Sequence, residues 1–171
     1  MMKVIFSRVH RYIKLIVSCW VAIAAVMVLT TTSARASSEL PEITIYRDPS
    51  CSCCSGWIEH LEAQGFQTNN VPTPDVDSLK QQYGVPDQLT SCHTAIVDGY
   101  VVEGHVPAEE IKRLLAEQPT VTGITVPGMP VGTPGMESGD ERESYTVFSF
   151  DKQRNSEVFN HYSFYSGSHI D

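Results

Sequence analysis

The stretch YRDPSCSCCSGW, residues 46–57, places three cysteines, Cys51, Cys53 and Cys54, within four positions. It overlaps ITIYRD (43–48), whose alternation of β-branched and polar residues predicts a strand ended by Pro49 and Ser50. A helix is expected to start inside the cysteine cluster. Trp57, Ile58 and Leu61 fall on one face at helical spacing, and Gly65 supplies the stop. The cysteines therefore stand at or just before a helix N-terminus, where unpaired N–H groups and the helix dipole favour a thiolate. A thiolate is both nucleophile and soft metal ligand. The stretch alone admits a disulfide, a redox pair or a metal site.

Outward from the cluster, GFQTNNVPT (65–73) predicts a second strand and DVDSLKQQYG (75–84) a short helix, capped by Asp75 or Asp77 and ended by Gly84. TAIVDGYVVEGHV (94–106) reads as two strands around Asp98-Gly99, a hairpin signature. PAEEIKRLLAEQP (107–119) predicts a helix with proline at its first position, acids in its first turn and Ile111, Leu114 and Leu115 as its apolar stripe. The order is βαβαββα. Residues 119–144 show no periodicity and are rich in Pro and Gly, so a long loop is expected, of a length that points to function. YTVFSFDKQRNSEVFNHYSFY (145–165) predicts a final hairpin turning at Lys152–Asn155, before a frayed tail.

Residues 1–36 have the pattern of a secretory signal. Lys3, Arg8, Arg11 and Lys14 precede an apolar run, Leu15–Leu29, and Ala34-Arg35-Ala36 offers a small-x-small cleavage pattern. The run is shorter than the roughly 20 residues of a membrane-spanning helix, which favours cleavage over anchoring. IVSC (16–19) resembles a lipoprotein box, but most of the apolar run follows Cys19, so lipidation is rejected. Residues 37–171 are expected to form one periplasmic domain, with no stable membrane insertion after cleavage. They keep all twenty acidic residues and seven of the twelve basic ones, a balance of −13 with histidine neutral. That balance argues against nucleic acid and anionic membranes as partners and favours cations.

Four cysteines remain after residue 36: Cys51, Cys53, Cys54 and Cys92. An oxidising compartment makes disulfides the default, yet three cysteines in one turn suit a simple staple poorly. The two remaining methionines, Met129 and Met136, both lie in GITVPGMPVGTPGME (123–137), where there is little core to fill.

The βαβαββα order, with Cys51-x-x-Cys54 at the end of the first strand, resembles the thioredoxin fold over about residues 42–118. YGVPDQLTSCHTAIVDGYVVEGHV (83–106) strengthens the likeness, with His93-Thr94 standing where that family has a cis-proline and threonine. The segments at 46–66, 91–117 and 126–137 together resemble the DUF411 family, which includes exported copper-resistance proteins of the CopG type. The resemblance implies an α/β, thioredoxin-like domain with a C-terminal extension (119–171) made of a Pro/Gly-rich loop and an extra β-hairpin. It further implies that the Cys92-His93 loop faces Cys51-x-x-Cys54.

On that placement Cys51, Cys53, Cys54 and Cys92 are the inner metal ligands. Met129, Met136, His93 and His105 are added candidates, and His161 and His169 are peripheral ones. Thiolate and thioether donors select soft ions, above all Cu(I). Zinc accepts Cys and His but not thioether, which makes it the alternative metal. Trp57 is expected in the core, Asp48 as a turn cap and His60 on a solvated helix face. Three functions follow. The first is a periplasmic copper-binding protein of copper resistance and homeostasis, holding one or more Cu(I) ions, with copper oxidoreductase activity as an extension and copper exporters or chaperones as partners. The others are a periplasmic thiol-disulfide oxidoreductase and a zinc- or disulfide-stabilised binding module.

Overall fold

The computed structural model describes residues 39–164. The expected signal peptide, Cys19 and His169 lie outside the described residues. The strand expected at 43–48 is β1, Ile43–Arg47, with Ile43 and Ile45 fully buried on one face. Helix α1, Cys53–Ala63, starts in the cysteine cluster and buries Cys54, Trp57, Ile58 and Leu61. Strand β2, Thr68–Pro72, and helix α2, Val76–Gln82, follow. Strands β3, His93–Val97, and β4, Tyr100–Glu103, flank Asp98-Gly99, whose φ values of 47° and 83° suit the tight hairpin turn. Helix α3 spans Ala108–Glu117 and fully buries Ile111 and Leu114, while Leu115 packs at the margin.

The sheet is single and mixed, in the order β2-β1-β3-β4 for its first four strands. β1 runs parallel to β2 and antiparallel to β3, and β3 is antiparallel to β4. This is a mixed α/β arrangement with the βαβαββα element order expected from the sequence. Trp57 and Leu61 from α1 meet Ile43, Ile45, Val102, Ile111 and Leu114 in the main core. Full burial of each such side chain stabilises by roughly 1.5–3 kcal/mol.

The extension differs from expectation. Residues 119–144 are not all loop, because Gly123–Thr125 forms a fifth strand, β5. β5 is parallel to β4 and antiparallel to β6, Tyr145–Phe150, which pairs in turn with β7, Ser156–Tyr162. The final hairpin thus continues the same sheet, making it seven-stranded. A strand of three residues is too short to register as a period. Its glycine is required by contact: a Cβ on Gly123 would lie 2.1 Å from the Val101 carbonyl oxygen.

The hairpin is also fastened to α3. The Glu110 carboxylate accepts from Tyr162 Oη at 2.8 Å, and Arg113 donates to the Phe159 carbonyl at 2.9 Å while lying over the Phe159 ring. No helix among the described residues is long and apolar enough to cross a membrane.

Candidate metal centre

The turn between β1 and α1 carries the first three cysteines. Its shape is set locally: Cys51 N–H donates to the Asp48 carbonyl at 3.0 Å, and Asp48 Oδ1 accepts from the Ser50 N–H at 2.7 Å. Asp48 is thus the turn cap its position suggested. Cys51 and Cys54 form a disulfide, whereas Cys53 and Cys92 are free thiols. Cys53 Sγ lies 3.5 Å from Cys51 Sγ, and Cys92 Sγ lies 3.7 Å from Cys54 Sγ. The sulfur atoms of Cys51, Cys53, Cys54 and Cys92 all fall within 4.8 Å of one another. All four cysteines are expected ligands; in the structure Cys51 and Cys54 are tied to each other and become thiolates only on reduction.

Cys92 belongs to a second group as well. Its Sγ is 3.2 Å from His93 Nδ1 and 3.1 Å from His105 Nε2. Cys92, His93 and His105 offer ligand atoms that again lie within 4.8 Å of one another. His105 Nδ1 stands 2.7 Å from the Pro134 carbonyl oxygen. A carbonyl only accepts, so Nδ1 carries the proton and the Nε2 lone pair faces Cys92. His93 is fully buried, packed on Trp57 with ring centroids 4.3 Å apart, and its Nε2 has no hydrogen-bond partner.

Burial sets the protonation of this group. It pushes the Cys92 thiol up to about 12, with Cys53 adding to the effect. It holds His93 well below the ordinary imidazole value, and neighbouring His105 pushes the same way. His105 is lowered too, again by burial. Without metal, therefore, the thiol is protonated and the imidazoles neutral, with lone pairs available for coordination. A cavity of ≈ 260 Å³ opens beside Cys92, lined also by Asp48, Asp77, Lys80 and Ser91, so acids and a cation both face it.

The Pro/Gly-rich loop closes over α1. Gly135, at φ 82°, packs so tightly that a Cβ there would stand 2.5 Å from Trp57 N and 2.9 Å from the Cys53 carbonyl oxygen. Met136 is the next residue and is half-buried. Met129 follows Gly128, whose N–H donates to the Thr90 carbonyl at 3.0 Å and whose carbonyl accepts from Ser91 Oγ. Both methionines thus leave backbone anchored beside the cysteine segments, Met129 with 51% of its surface exposed.

Among the described residues, the two other histidines, His60 and His161, lie apart. His60 is not on a fully solvated face: its Nε2 accepts the Ala108 N–H at 3.2 Å, which caps α3. His161 pairs with Thr146 Oγ1 on the exposed hairpin, outside both groups.

Sequence reasoning missed the support beneath Cys92. Glu103, fully buried, accepts from Lys80 Nζ at 2.6 Å and from Ser91 N–H at 2.6 Å. Thr94 Oγ1 donates to its other oxygen at 2.6 Å. Burial pushes the Glu103 carboxyl up, while Lys80 and these donors pull it down. In the sequence Glu103 stands at the end of the strand YVVE, where an acid ordinarily faces solvent.

A family model described as "Protein of unknown function, DUF411" matches residues 89–136. Two solved structures are similar to this chain. One, copper resistance protein copG in Form 2, is 43% identical over 73% of this chain and 100% of its own length, with a TM-score of 0.70. The other, Form 1 of copper resistance protein copG, is 44% identical over 72% of this chain and 98% of its own, with a TM-score of 0.69. No match was found among curated proteins.

Proposed function

The chain belongs to the CopG-type DUF411 family, and from that premise we propose that it is a periplasmic copper-binding protein of copper resistance and homeostasis. The observation that carries the reading is the double membership of Cys92. One sulfur is common to a four-sulfur group and to a Cys-His-His group. A thiolate can bridge two soft ions, so the arrangement suits more than one Cu(I). Cys51, Cys53, Cys54 and Cys92 are the proposed inner ligands, His93 and His105 the nitrogen donors, and Met129 and Met136 the thioether donors. Neutral imidazoles and a polarizable sulfur set fit Cu(I) better than a harder ion. Zinc would use the cysteines and histidines but leave the thioethers idle.

The disulfide adds a redox capacity. Reducing Cys51–Cys54 takes two electrons and yields two thiolates. Two Cu(I) ions supply two electrons on becoming Cu(II). A copper oxidoreductase role is therefore in electron balance with the residues present. Exporters or chaperones of the periplasm are the proposed copper donors and acceptors.

The test is an anaerobic titration of the reduced, metal-free protein with Cu(I) against a competing chelator, followed by absorption in the thiolate-to-copper region. Saturable binding with sulfur-to-metal absorption supports the reading, and absence of binding removes it. A second reading, thiol-disulfide exchange with exported proteins, is favoured by the Cys51–Cys54 disulfide at the start of α1. Rapid reduction of insulin by the metal-free protein would move the assignment there.

A further inference from the structure

Cys92 lies in the segment between Leu89 and β3, outside regular structure, so hydrogen bonds along a strand do not fix its place. Something else must hold the sulfur that both ligand groups share. The residue before it, Ser91, donates its N–H to Glu103 Oε1 at 2.6 Å. Two residues after it, Thr94 Oγ1 donates to Glu103 Oε2 at 2.6 Å. One carboxylate thus grips the chain on both sides of Cys92. Lys80, 5% exposed, balances its charge at 2.6 Å and also donates to Thr94 Oγ1 at 3.2 Å.

We propose that Glu103, with Lys80 as its buried counter-ion, is the positioning residue that holds Cys92 over the cysteine turn and sets the geometry of the metal centre. The proposal rests on the copper reading for its metal but on the hydrogen bonds for its mechanism. A buried ion pair is a weak source of stability, since apolar residues of the same size commonly do as well. What an apolar residue cannot do is aim a backbone N–H. Hydrogen bonds to a carboxylate are shorter and stronger than those to a neutral acceptor.

Two neighbouring features act with it. Gly104 N–H donates to the His93 carbonyl at 3.0 Å, and a Cβ on Gly104 would stand 2.5 Å from the Ser91 Cβ, so only glycine lets the two segments approach. His105 then follows and brings Nε2 within 3.1 Å of Cys92 Sγ. Glu103-Gly104-His105 therefore sets the place of Cys92 from beneath and from the side.

The experiment compares the parent protein with Glu103→Gln, reduced and metal-free, by two measurements. The first is Cu(I) affinity and sulfur-to-metal absorption in a chelator competition. The second is hydrogen exchange at the amides of residues 91–93. Loss of an outer partner of a metal ligand lowers affinity by about 10- to 100-fold. The expected result is a loss in that range, an altered absorption band and faster exchange confined to residues 91–93. An unchanged affinity and spectrum in a folded Glu103→Gln would overturn the proposal, because a merely structural pair would lower stability and leave both alone. Should the parent bind no Cu(I), the copper reading fails by itself and the exchange measurement decides: local acceleration supports positioning, and an unchanged pattern removes it. Should Glu103→Gln not fold, Thr94→Val serves instead. It keeps the ion pair, removes one donor, and is expected to cost a smaller loss of the same kind; no change would overturn the proposal.

Discussion

Cys54 Sγ and Cys92 Sγ stand 3.7 Å apart across 38 residues of chain, which makes Cys92 the only free thiol supplied to the cluster from outside the turn among the described residues. Cys92→Ser keeps the size of the side chain but withdraws the shared sulfur. Cu(I) affinity of the reduced protein is expected to fall by about tenfold or more, at least ~1.4 kcal/mol. Stoichiometry should drop as well, since both ligand groups lose a member. Chelator competition with copper analysis checks both.

The Cys51–Cys54 disulfide predicts a thiol count. In the oxidised protein, within residues 37–171, Cys53 and Cys92 are the two thiols that react with a chromogenic disulfide after denaturation. Reduction should raise the count to all four and restore full Cu(I) capacity. A count of four without prior reduction would contradict the disulfide.

Gly135 and Gly139 make a matched pair. Both have positive φ, 82° and 55°, but Gly135 meets Trp57 N and the Cys53 carbonyl whereas Gly139 faces open space. Alanine at either costs about 1–2 kcal/mol for the left-handed backbone. Gly135→Ala should cost about 1–3 kcal/mol more, for overlap with α1. Urea unfolding of the metal-free variants measures the difference.

His60 gives a pH dependence that can be isolated. Burial lowers its pKa below the ordinary 6.5, with Lys112 acting in the same direction and Glu109 and Glu137 against it. The unfolded chain therefore takes up the proton first as pH falls. The stability contributed by neutral His60 is whole above 6.5 and is lost as pH drops from there toward the folded value. Protonation also removes the lone pair that accepts the Ala108 N–H. His60→Gln keeps an acceptor but does not titrate, so its melting temperature should fall less between pH 7 and pH 5. Equal slopes for the two proteins would contradict the assignment.

The elements that carry the Cys92 segment were legible because each had a local signal. Asp98-Gly99 marked the hairpin, and Trp57, Ile58 and Leu61 marked the buried face of α1. β5 was not legible, since three residues, Gly123–Thr125, show no period and pair only through contacts across the sheet. The meeting of Cys92 with the cysteine turn followed from a likeness in fold, not from spacing. Lys80 and Glu103, 23 residues apart, gave no pattern in the chain: a lysine on a short helix and a glutamate at a strand end ordinarily face solvent. The approach of Gly56 to Gly135 was equally hidden, because glycine announces freedom and not which neighbour it admits.

The pairing of β4 with β5 also limits how this molecule can be divided or inherited. Ending the chain after α3, where the βαβαββα pattern closes, would strip β4 of its outer neighbour and leave a row of bare peptide groups ready to recruit a second copy. Residues 42–118 on their own would therefore carry β4 as an uncovered sheet edge. Exchange of C-terminal segments between relatives would succeed only where the short linking strand and its obligatory glycine travel with them.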